Sequence, residues 1–320
     1  SGLGISVAVA YVTNRTKVLM GGQVTTTGDA YFNAGVDNTV MAIADTFGLM
    51  GGAAAIAITI LDSEATVHIT DDANLQIGGN LTVQANTVDR TYNLARSSAD
   101  EGGMLGIAAA IGDELSVTNA LVDGVVSVGK DFAINAHQTT KEVARPILII
   151  PKDEGGVNAE ADASVTADET AKWLKRVRMG TGALDGTEWK PSLQGSSAAA
   201  AGVLTNFIQG SVIAGIQSKL PANKGTPPFQ IAAAVAVADI DKKTTARIGD
   251  GASDGDANSG VVTALGSITI QSKIESRPSL SAISNVEKGS SDEGVQGTKF
   301  AGSAAITVGL YTNEAKASIN

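Results

Sequence analysis

Residues Gly52–Ile69 read GAAAIAITILDSEATVHI, and residues Ile231–Ile248 read IAAAVAVADIDKKTTARI. Each stretch begins with an alanine-rich alternation, passes through a polar dipeptide and ends in a second alternating segment. The same pattern recurs at three further places, with a looser copy in a fourth: Gly4–Met20, Ser197–Ile216, Ala301–Ile319 and, more loosely, Gly106–Val122. A two-residue period bounded by Gly, Asn and Asp is the signature of β-strands. The sequence therefore predicts an almost entirely β chain.

A second, shorter motif follows the first: Gly, then Asp or Asn, then an alternating segment that ends on Ala. It occurs as GDAYFNA from Gly28, GNLTVQA from Gly79 and KDFAINA from Lys130. The closing alanines, Ala34, Ala85 and Ala136, are 51 residues apart each time. A fourth copy, Gly266–Ser272, is out of phase, so the segment between residues 137 and 265 interrupts the count. A fixed period of this kind is typical of repeat architectures.

The small residues of these strands favour one repeat architecture over the others. A propeller calls for larger residues between its blades, and a sandwich has no reason to keep a motif at a fixed interval. In a parallel solenoid the inward side chains form columns in a narrow core, which Ala, Val and Ile fit. We therefore predict a right-handed parallel β-solenoid (β-helix), with the hand taken from the general preference for right-handed crossovers.

The repeat length also suggests how the chain coils. A repeat of 51 residues is long for one coil, so we predict two or more coils in each repeat. The coils would turn at four polar dipeptides: Thr13–Asn14, Asp62–Ser63, Asp241–Lys242 and Thr312–Asn313.

The middle of the chain has a different composition, with Pro146, Pro151 and Pro191 and clustered charges. The prediction is therefore β-solenoid repeats over 1–140, an inserted irregular subdomain over 141–195, and further β-solenoid repeats over 196–320. A projecting insertion costs such a scaffold little, because loop-closure entropy grows slowly with loop length.

Composition narrows the classes of partner. The 320 residues include 23 Lys and Arg against 33 Asp and Glu, which gives a net charge of −10. This charge repels nucleic acid and anionic lipid surfaces. The longest apolar runs are too short to cross a bilayer, and the absence of Cys excludes disulfides and thiolate chemistry.

The alternation GGxAAAxAVxxxDNxxxAxI, followed by GxLxVxA, resembles the β-helical repeats of large secreted bacterial filamentous adhesins of the leukotoxin and filamentous-haemagglutinin type. The resemblance covers roughly residues 1–136 and 197–320. It implies an extracellular segment at the bacterial cell surface, belonging to a longer polypeptide associated with cell adhesion and virulence. The implied role is structural or adhesive and non-catalytic: attachment to a surface, or service as a rigid spacer.

The insertion contains the residues that we select as candidates for ligand binding. They are the two tryptophans and the cations beside the first of them: Trp173, Lys175, Arg176, Arg178 and Trp189. Exposed aromatic and cationic side chains could bind a glycan or a protein on a host or neighbouring cell. Alternatively, the tryptophans cover the wall of the coils and the cations pair with nearby acids.

Other chemistry is weakly indicated. Asp250, Asp254 and Asp256 lie in a loop that could bind calcium, but their spacing matches neither the EF-hand loop nor the Gly-rich nonapeptide calcium repeat, and we favour a plain acidic turn. We predict no other cofactor. Polysaccharide-cleaving β-helix enzymes need paired carboxylates on one face, whereas here the acids fall in turns and the strand positions carry Thr, Gln, Asn and Ser. We predict no enzyme activity, and keep two alternatives: a self-assembling filament or sheath subunit that binds other copies of itself and no ligand, and a β-helix polysaccharide-degrading enzyme.

Overall fold

The computed structural model describes residues 3–49, 52–100, 105–142, 156–164, 229–249, 260–287 and 300–320. The regular elements in these ranges are all β-strands, as the sequence predicts. They are β1 (Leu3–Met20), β2 (Gln23–Thr26), β3 (Ala30–Leu49), β4 (Gly52–Ile69), β5 (Asn74–Ile77), β6 (Leu81–Asp100), β7 (Leu105–Val122), β8 (Val125–Val128), β9 (Phe132–Thr140), β10 (Gly156–Ser164), β11 (Phe229–Ile248), β12 (Val261–Ala264), β13 (Ile268–Glu275), β14 (Leu280–Glu287) and β15 (Phe300–Ile319).

The strands form three sheets, and every pairing is parallel. The first sheet has the order β1-β4-β7-β11-β15, and the short second sheet has the order β12-β8-β5-β2. In the third sheet β3 pairs with β6, whose two halves pair with β9 and β10, and these pair in turn with β13 and β14. The chain visits the first, second and third sheets in that order. We call one run of the chain through the three sheets a passage. The strands of each passage pair with the strands of the preceding one.

The pairing register confirms the short repeat motif residue by residue. Ala34 pairs with Ala85, Ala85 pairs with Ala136, and Ala136 pairs with Ser272 in the displaced fourth copy. Because Ala34 and Ala85 are 51 residues apart, one repeat makes one passage through the three sheets. The prediction of two or more coils in each repeat is therefore wrong.

The predicted corners are also wrong, because the four polar dipeptides lie inside β1, β4, β11 and β15. Their alternation continues through the strand: Ser63 and Lys242 are fully buried, whereas Asp62 is partly exposed and faces the other way. Polar partners in the third sheet make it possible to bury these side chains without turning the chain.

The chain instead turns between the second and third sheets through three-residue corners at 27–29, 78–80, 129–131 and 265–267. Stacked corners approach each other backbone to backbone. A Cβ at Gly129 would lie 2.4 Å from the carbonyl oxygen of Gly78, so a side chain at this position would require the corner to move. Glycine therefore marks the corners in the sequence.

Four buried apolar clusters lie among the described residues, and the two largest form the two parts of the interior between the sheets. The three-sheet core lies where the C-terminal ends of the first-sheet strands meet the second sheet and the start of the third, and it contains Ile69, Leu75 and Phe132. The alanine core lies between the N-terminal halves of the first-sheet strands and the distal half of the third sheet. It consists of buried alanines: Ala42, Ala44, Ala55, Ala57, Ala95, Ala108, Ala110, Ala232, Ala234, Ala236 and Ala238. The predicted columns of small inward side chains are thus present.

A polar seam separates the two apolar parts. On the first sheet it consists of one register row, formed by Asn14, Ser63, Ser116 and Lys242. On the third sheet it consists of the facing row, formed by Asn38, Asp89 and Thr140. Asn14 donates to Asn38 across 2.9 Å, Asn38 donates to Asp89 across 2.8 Å, and Ser116 donates to Asp89 across 2.8 Å.

A buried ion pair completes the seam at its far end. The Nζ of Lys242 lies 2.6 Å from Oε1 of Glu114, and both side chains are almost inaccessible to solvent. Lys242 also donates to the hydroxyl of Thr140. Burial raises the pKa of Glu114, the carboxyl group of Asp89 raises it further, and Lys242 opposes the rise.

Part of the predicted insertion belongs to the sheets. Residues 156–164, assigned from sequence to the irregular subdomain, form β10 and pair with both β6 and β14. Residues 143–155 and 165–195 of that predicted subdomain lie outside the described residues. In the described ranges, no helix is long and apolar enough to cross a membrane.

Candidate functional site

The structure does not locate the binding residues predicted from sequence. Trp173, Lys175, Arg176, Arg178 and Trp189 all lie outside the described residues. The same is true of the calcium candidates Asp250, Asp254 and Asp256. The functional groups that the structure brings together lie instead on the outer sides of the third and first sheets.

A ladder of side-chain oxygens runs along the corners at the start of the third sheet. Oδ1 of Asp29 accepts the backbone N–H of Asn80 across 2.7 Å, and Oδ1 of Asn80 accepts the N–H of Asp131 across 3.3 Å. Oδ1 of Asp131 then accepts both the N–H and the hydroxyl of Ser267, across 2.8 and 2.9 Å. We call these four residues the corner ladder. It explains why each short repeat motif has Asp, Asn or Ser after its glycine or lysine.

The corner ladder affects the protonation of one of its members. The backbone N–H of Ser267, and then its hydroxyl, lower the pKa of Asp131 below the ordinary value of 3.8. Asp131 therefore presents a carboxylate at neutral pH, although it is solvent-exposed.

An open groove lies beside the corner ladder. It has a volume of about 460 Å³ and is lined by Asp29, Tyr31, Asn80, Thr82 and Asp131, with Ala30, Leu81 and Ala133 completing its walls. Tyr31 stands at one side with 60% of its surface exposed, and its hydroxyl donates to Oε1 of Gln84 across 2.6 Å. Its register partners are smaller, first Thr82 and then Ala133. The groove is the depression left by this step in side-chain size.

The next outward row consists of amides. Asn33, Gln84, Asn135 and Gln271 are register partners on four neighbouring strands. Gln84 donates to Asn86 across 3.1 Å, and Asn86 donates to Asn33 across 3.3 Å. This outer surface offers fixed hydrogen-bond donors and acceptors with little net charge.

On the first sheet, the outer side of the C-terminal half carries charges that pair across strands. Nη2 of Arg15 lies 2.6 Å from Asp62, and Nζ of Lys17 lies 2.8 Å from Glu64. Burial opposes ionisation of Glu64, but hydrogen bonds from Lys17 and Thr66 outweigh it and lower the pKa of Glu64.

A cluster of three ionisable side chains lies near the end of the same sheet. Nε2 of His68 is 2.7 Å from Oδ2 of Asp123, and Nη2 of Arg247 is 3.1 Å from that oxygen. Arg247 and His68 contact the same carboxylate oxygen of Asp123, so Asp123 positions both of these side chains. The described residues contain no group of three or more His, Cys, Asp or Glu side chains that could hold a metal ion.

One pair of acids was missed by the sequence reasoning. Asp113 and Asp239 are register partners on β7 and β11, so two carboxyl groups occupy neighbouring outward positions on the first sheet. They are 126 residues apart in the chain. The expectation that acids avoid adjacent strand positions is wrong at this row. Aligning the two alanine-rich motifs that contain these residues could have revealed it.

Comparison of the chain with protein-family models, with curated proteins and with solved structures finds no match. The interpretation of this surface consequently depends on its own geometry.

Proposed function

We propose that this chain is a right-handed parallel β-solenoid segment of an extracellular bacterial filamentous protein, with a non-catalytic role in surface attachment or as a rigid spacer. The observation that carries the proposal is the pairing register, in which each of the first three passages places one strand in each of three parallel sheets, with a 51-residue offset in the second and third sheets. A structure that grows by repeated passages can reach any length without enlarging its core. Length and stiffness are the properties that a filamentous surface protein needs.

The resemblance to secreted bacterial filamentous adhesins supports the compartment and the role. The distribution of side chains supports a binding surface over a catalytic one, because the outer side of the third sheet presents amides and hydroxyls in fixed rows. Such rows suit recognition of a host or neighbouring-cell surface, either protein or glycan. The candidate residues Trp173 and Trp189 remain part of this proposal.

A cell-binding experiment distinguishes the attachment role from the spacer role. We expect the purified, fluorescently labelled 320-residue chain to bind host-cell monolayers or bacterial neighbours in a saturable manner. A Trp173→Ala/Trp189→Ala variant that folds normally but loses binding would place the adhesive contact on the insertion. Absence of saturable binding by the folded wild-type chain would reject attachment and leave the spacer role.

Self-assembly without a ligand is the first alternative. The two edge strands of the first sheet are β1 and β15, which are 18 and 20 residues long. Long edge strands are templates for pairing with other chains. Sedimentation velocity over a range of concentrations tests this alternative. A chain that stays monomeric throughout would contradict it.

Catalysis on a polysaccharide is the second alternative, and the Asp113–Asp239 row favours it. Two carboxyl groups on adjacent strands are the arrangement that glycosidic cleavage uses. A reducing-sugar assay over a panel of polysaccharides, with Asp113→Asn and Asp239→Asn as controls, decides the matter. Release of sugar by the wild-type chain that both variants abolish would establish an enzyme.

A further inference from the structure

We infer that the groove beside the corner ladder binds a short uncharged oligosaccharide, with Tyr31 as its stacking platform. This inference rests on the proposed attachment function, for which it supplies a ligand class and a site among the described residues.

Tyr31 has the properties of a platform that is held in place before binding. Its ring is 60% exposed, yet its hydroxyl is bonded to Gln84 on the neighbouring strand. An aromatic side chain held in this way loses little conformational freedom on binding. The ring offers an apolar face, of the kind that the C–H face of a pyranose covers, while its polar tip is already satisfied.

The floor of the groove leaves room for a sugar next to this ring. Thr82 and Ala133 are the successive register partners of Tyr31, so the surface falls away over two strands. The volume of about 460 Å³ lies within the range of small-molecule sites. A flat platform with a step beside it matches a chain of sugar rings better than it matches a compact ligand.

The corner ladder supplies acceptors along the length of the groove. Asp29 and Asp131 each use Oδ1 to hold the next corner, and within the described part of the chain Oδ2 of each accepts no hydrogen bond. The two residues are two strands apart, or about 9.6 Å at the usual strand spacing. Sugar hydroxyls donate to carboxylate oxygens at this kind of spacing, and the rigid corners hold those oxygens in place.

The same two carboxylates determine the charge of the ligand. Asp29 and Asp131 line the groove and no cation is among its lining residues, although Lys130 beside Asp131 offsets one of the two negative charges. The chain as a whole carries a net charge of −10. Sialylated or sulfated glycans would therefore be repelled, whereas an uncharged oligosaccharide would not. Its binding should also depend little on salt concentration.

The test is a glycan array of uncharged, sialylated and sulfated oligosaccharides, probed with the whole chain and followed by calorimetry with the best uncharged hit. We expect binding to a subset of uncharged glycans only, with a Kd that hardly changes between low and high salt. Tyr31→Ala should weaken this binding by about tenfold or more, because the platform is lost. Tyr31→Phe keeps the ring and should retain most of the affinity.

One matched variant controls for damage to the fold, and a second tests the carboxylate of the groove while leaving the corner folded. Tyr11 is 65% exposed on the outer side of the first sheet, so Tyr11→Ala removes a comparable ring away from the groove and should leave binding unchanged. Asp131→Asn should weaken binding without unfolding the corner, because Asn80 already occupies the equivalent ladder position in the preceding passage.

The outcomes separate this inference from the proposed function. If the chain binds cells but no uncharged glycan, or if Tyr31→Ala binds glycans as well as the wild type does, the groove is not the site and attachment stands. A preference for sulfated or sialylated glycans would also overturn the inference. If the folded chain binds neither cells nor glycans, both the inference and the attachment function fail.

Discussion

The alanine core and the polar seam occupy neighbouring positions along the same strands, yet different interactions allow their side chains to be buried. Ala55, Ala57 and Ala108 are fully buried with no polar partner to satisfy. A few residues further along, Ser63 and Lys242 are equally buried, and each meets a polar partner from the third sheet. One region depends on size alone, and the other depends on matched hydrogen-bonding groups.

This difference shows how parallel strands of similar sequence can keep their register. A slip of two residues along β4 would replace alanine by alanine in the alanine core, and packing there would hardly change. The same slip would move Ser63 away from Asp89 and leave a buried carboxyl group short of a donor. We therefore assign close approach of the sheets to the alanine core and register to the polar seam.

The largest effect is expected from placing a charge in the alanine core. Ala55→Asp or Ala234→Asp buries an uncompensated carboxylate among methyl groups and should destabilise the chain by about 4 kcal/mol or more. Urea unfolding followed by circular dichroism measures it. Thr25→Asp, at an exposed position on β2 whose register partner is the neutral Gln76, should change stability little. Unchanged unfolding of both core variants would mean that the inward assignment of these alanines is wrong.

The next effect comes from removing one partner of the ion pair in the polar seam. Lys242→Met leaves Glu114 buried without a cation and should cost about 3 kcal/mol. The double variant Lys242→Met/Glu114→Leu removes both charges and should be more stable than the single variant. A double-mutant cycle in urea gives the coupling energy. The single variant Glu114→Leu completes the cycle, and a Glu114→Leu effect that is the same with and without Lys242 would show that the pair contributes no coupling.

The pH dependence of stability tests the same pair. Because burial raises the pKa of Glu114 above 4.5, the folded chain binds this proton more tightly than the unfolded chain does. The contribution of Glu114 is thus fully present below pH 4.5 and is lost as the pH rises through its folded pKa. The slope is at most about 1.4 kcal/mol per pH unit.

Comparison with Glu114→Gln isolates this slope. Asp131 and Glu275 have lowered pKa values and lose their contributions as the pH falls, in both proteins alike. The free energy of unfolding of the wild-type chain, minus that of Glu114→Gln, should therefore fall as the pH rises above 4.5. A difference that does not vary with pH would contradict the burial of an ionisable Glu114.

The smallest change in the free energy of unfolding is expected from removing one hydroxyl from the polar seam, or from adding one to the alanine core. Ser63→Ala removes a donor to Asp89, and Ala57→Ser places a hydroxyl among alanines, so each should cost about 1 kcal/mol for opposite reasons. Thermal unfolding of the two variants provides the measurement. A stabilising Ser63→Ala substitution would mean that the seam gains nothing from this hydroxyl.

The sequence predicted the strands and much of their alignment because both depend on local patterns. The terminal alanines of the short motif pair as their 51-residue spacing indicated, and the alanine-rich strands lie side by side in one sheet. The corners were misplaced because polar residues such as Asp62–Ser63 usually mark turns. Here Ser63 is satisfied by Asp89, which comes from a different sheet and 26 residues further along the chain.

The candidate site was less predictable. Tyr31 and Asp131 are separated by two repeats, and only the stacking of passages brings them to one groove. Each residue also has an ordinary local role, Asp131 as a corner acceptor and Tyr31 as an edge aromatic. The tryptophans stand out in the sequence because the chain has only two of them, but rarity carries no information on where they lie.

The pairing of one long strand, β6, with two shorter strands, β9 and β10, has a consequence for how the sequence can evolve. One continuous strand of 20 residues, β6, holds both β9 and β10 in register, although residues 141–155 separate those two strands in the chain. The number of residues that joins them is not fixed by pairing. Evolution, or an engineer, can therefore lengthen, shorten or exchange that connection while the strands on either side keep their partners. The third sheet thus provides a graft point at which new sequences can be tried without redesigning the scaffold.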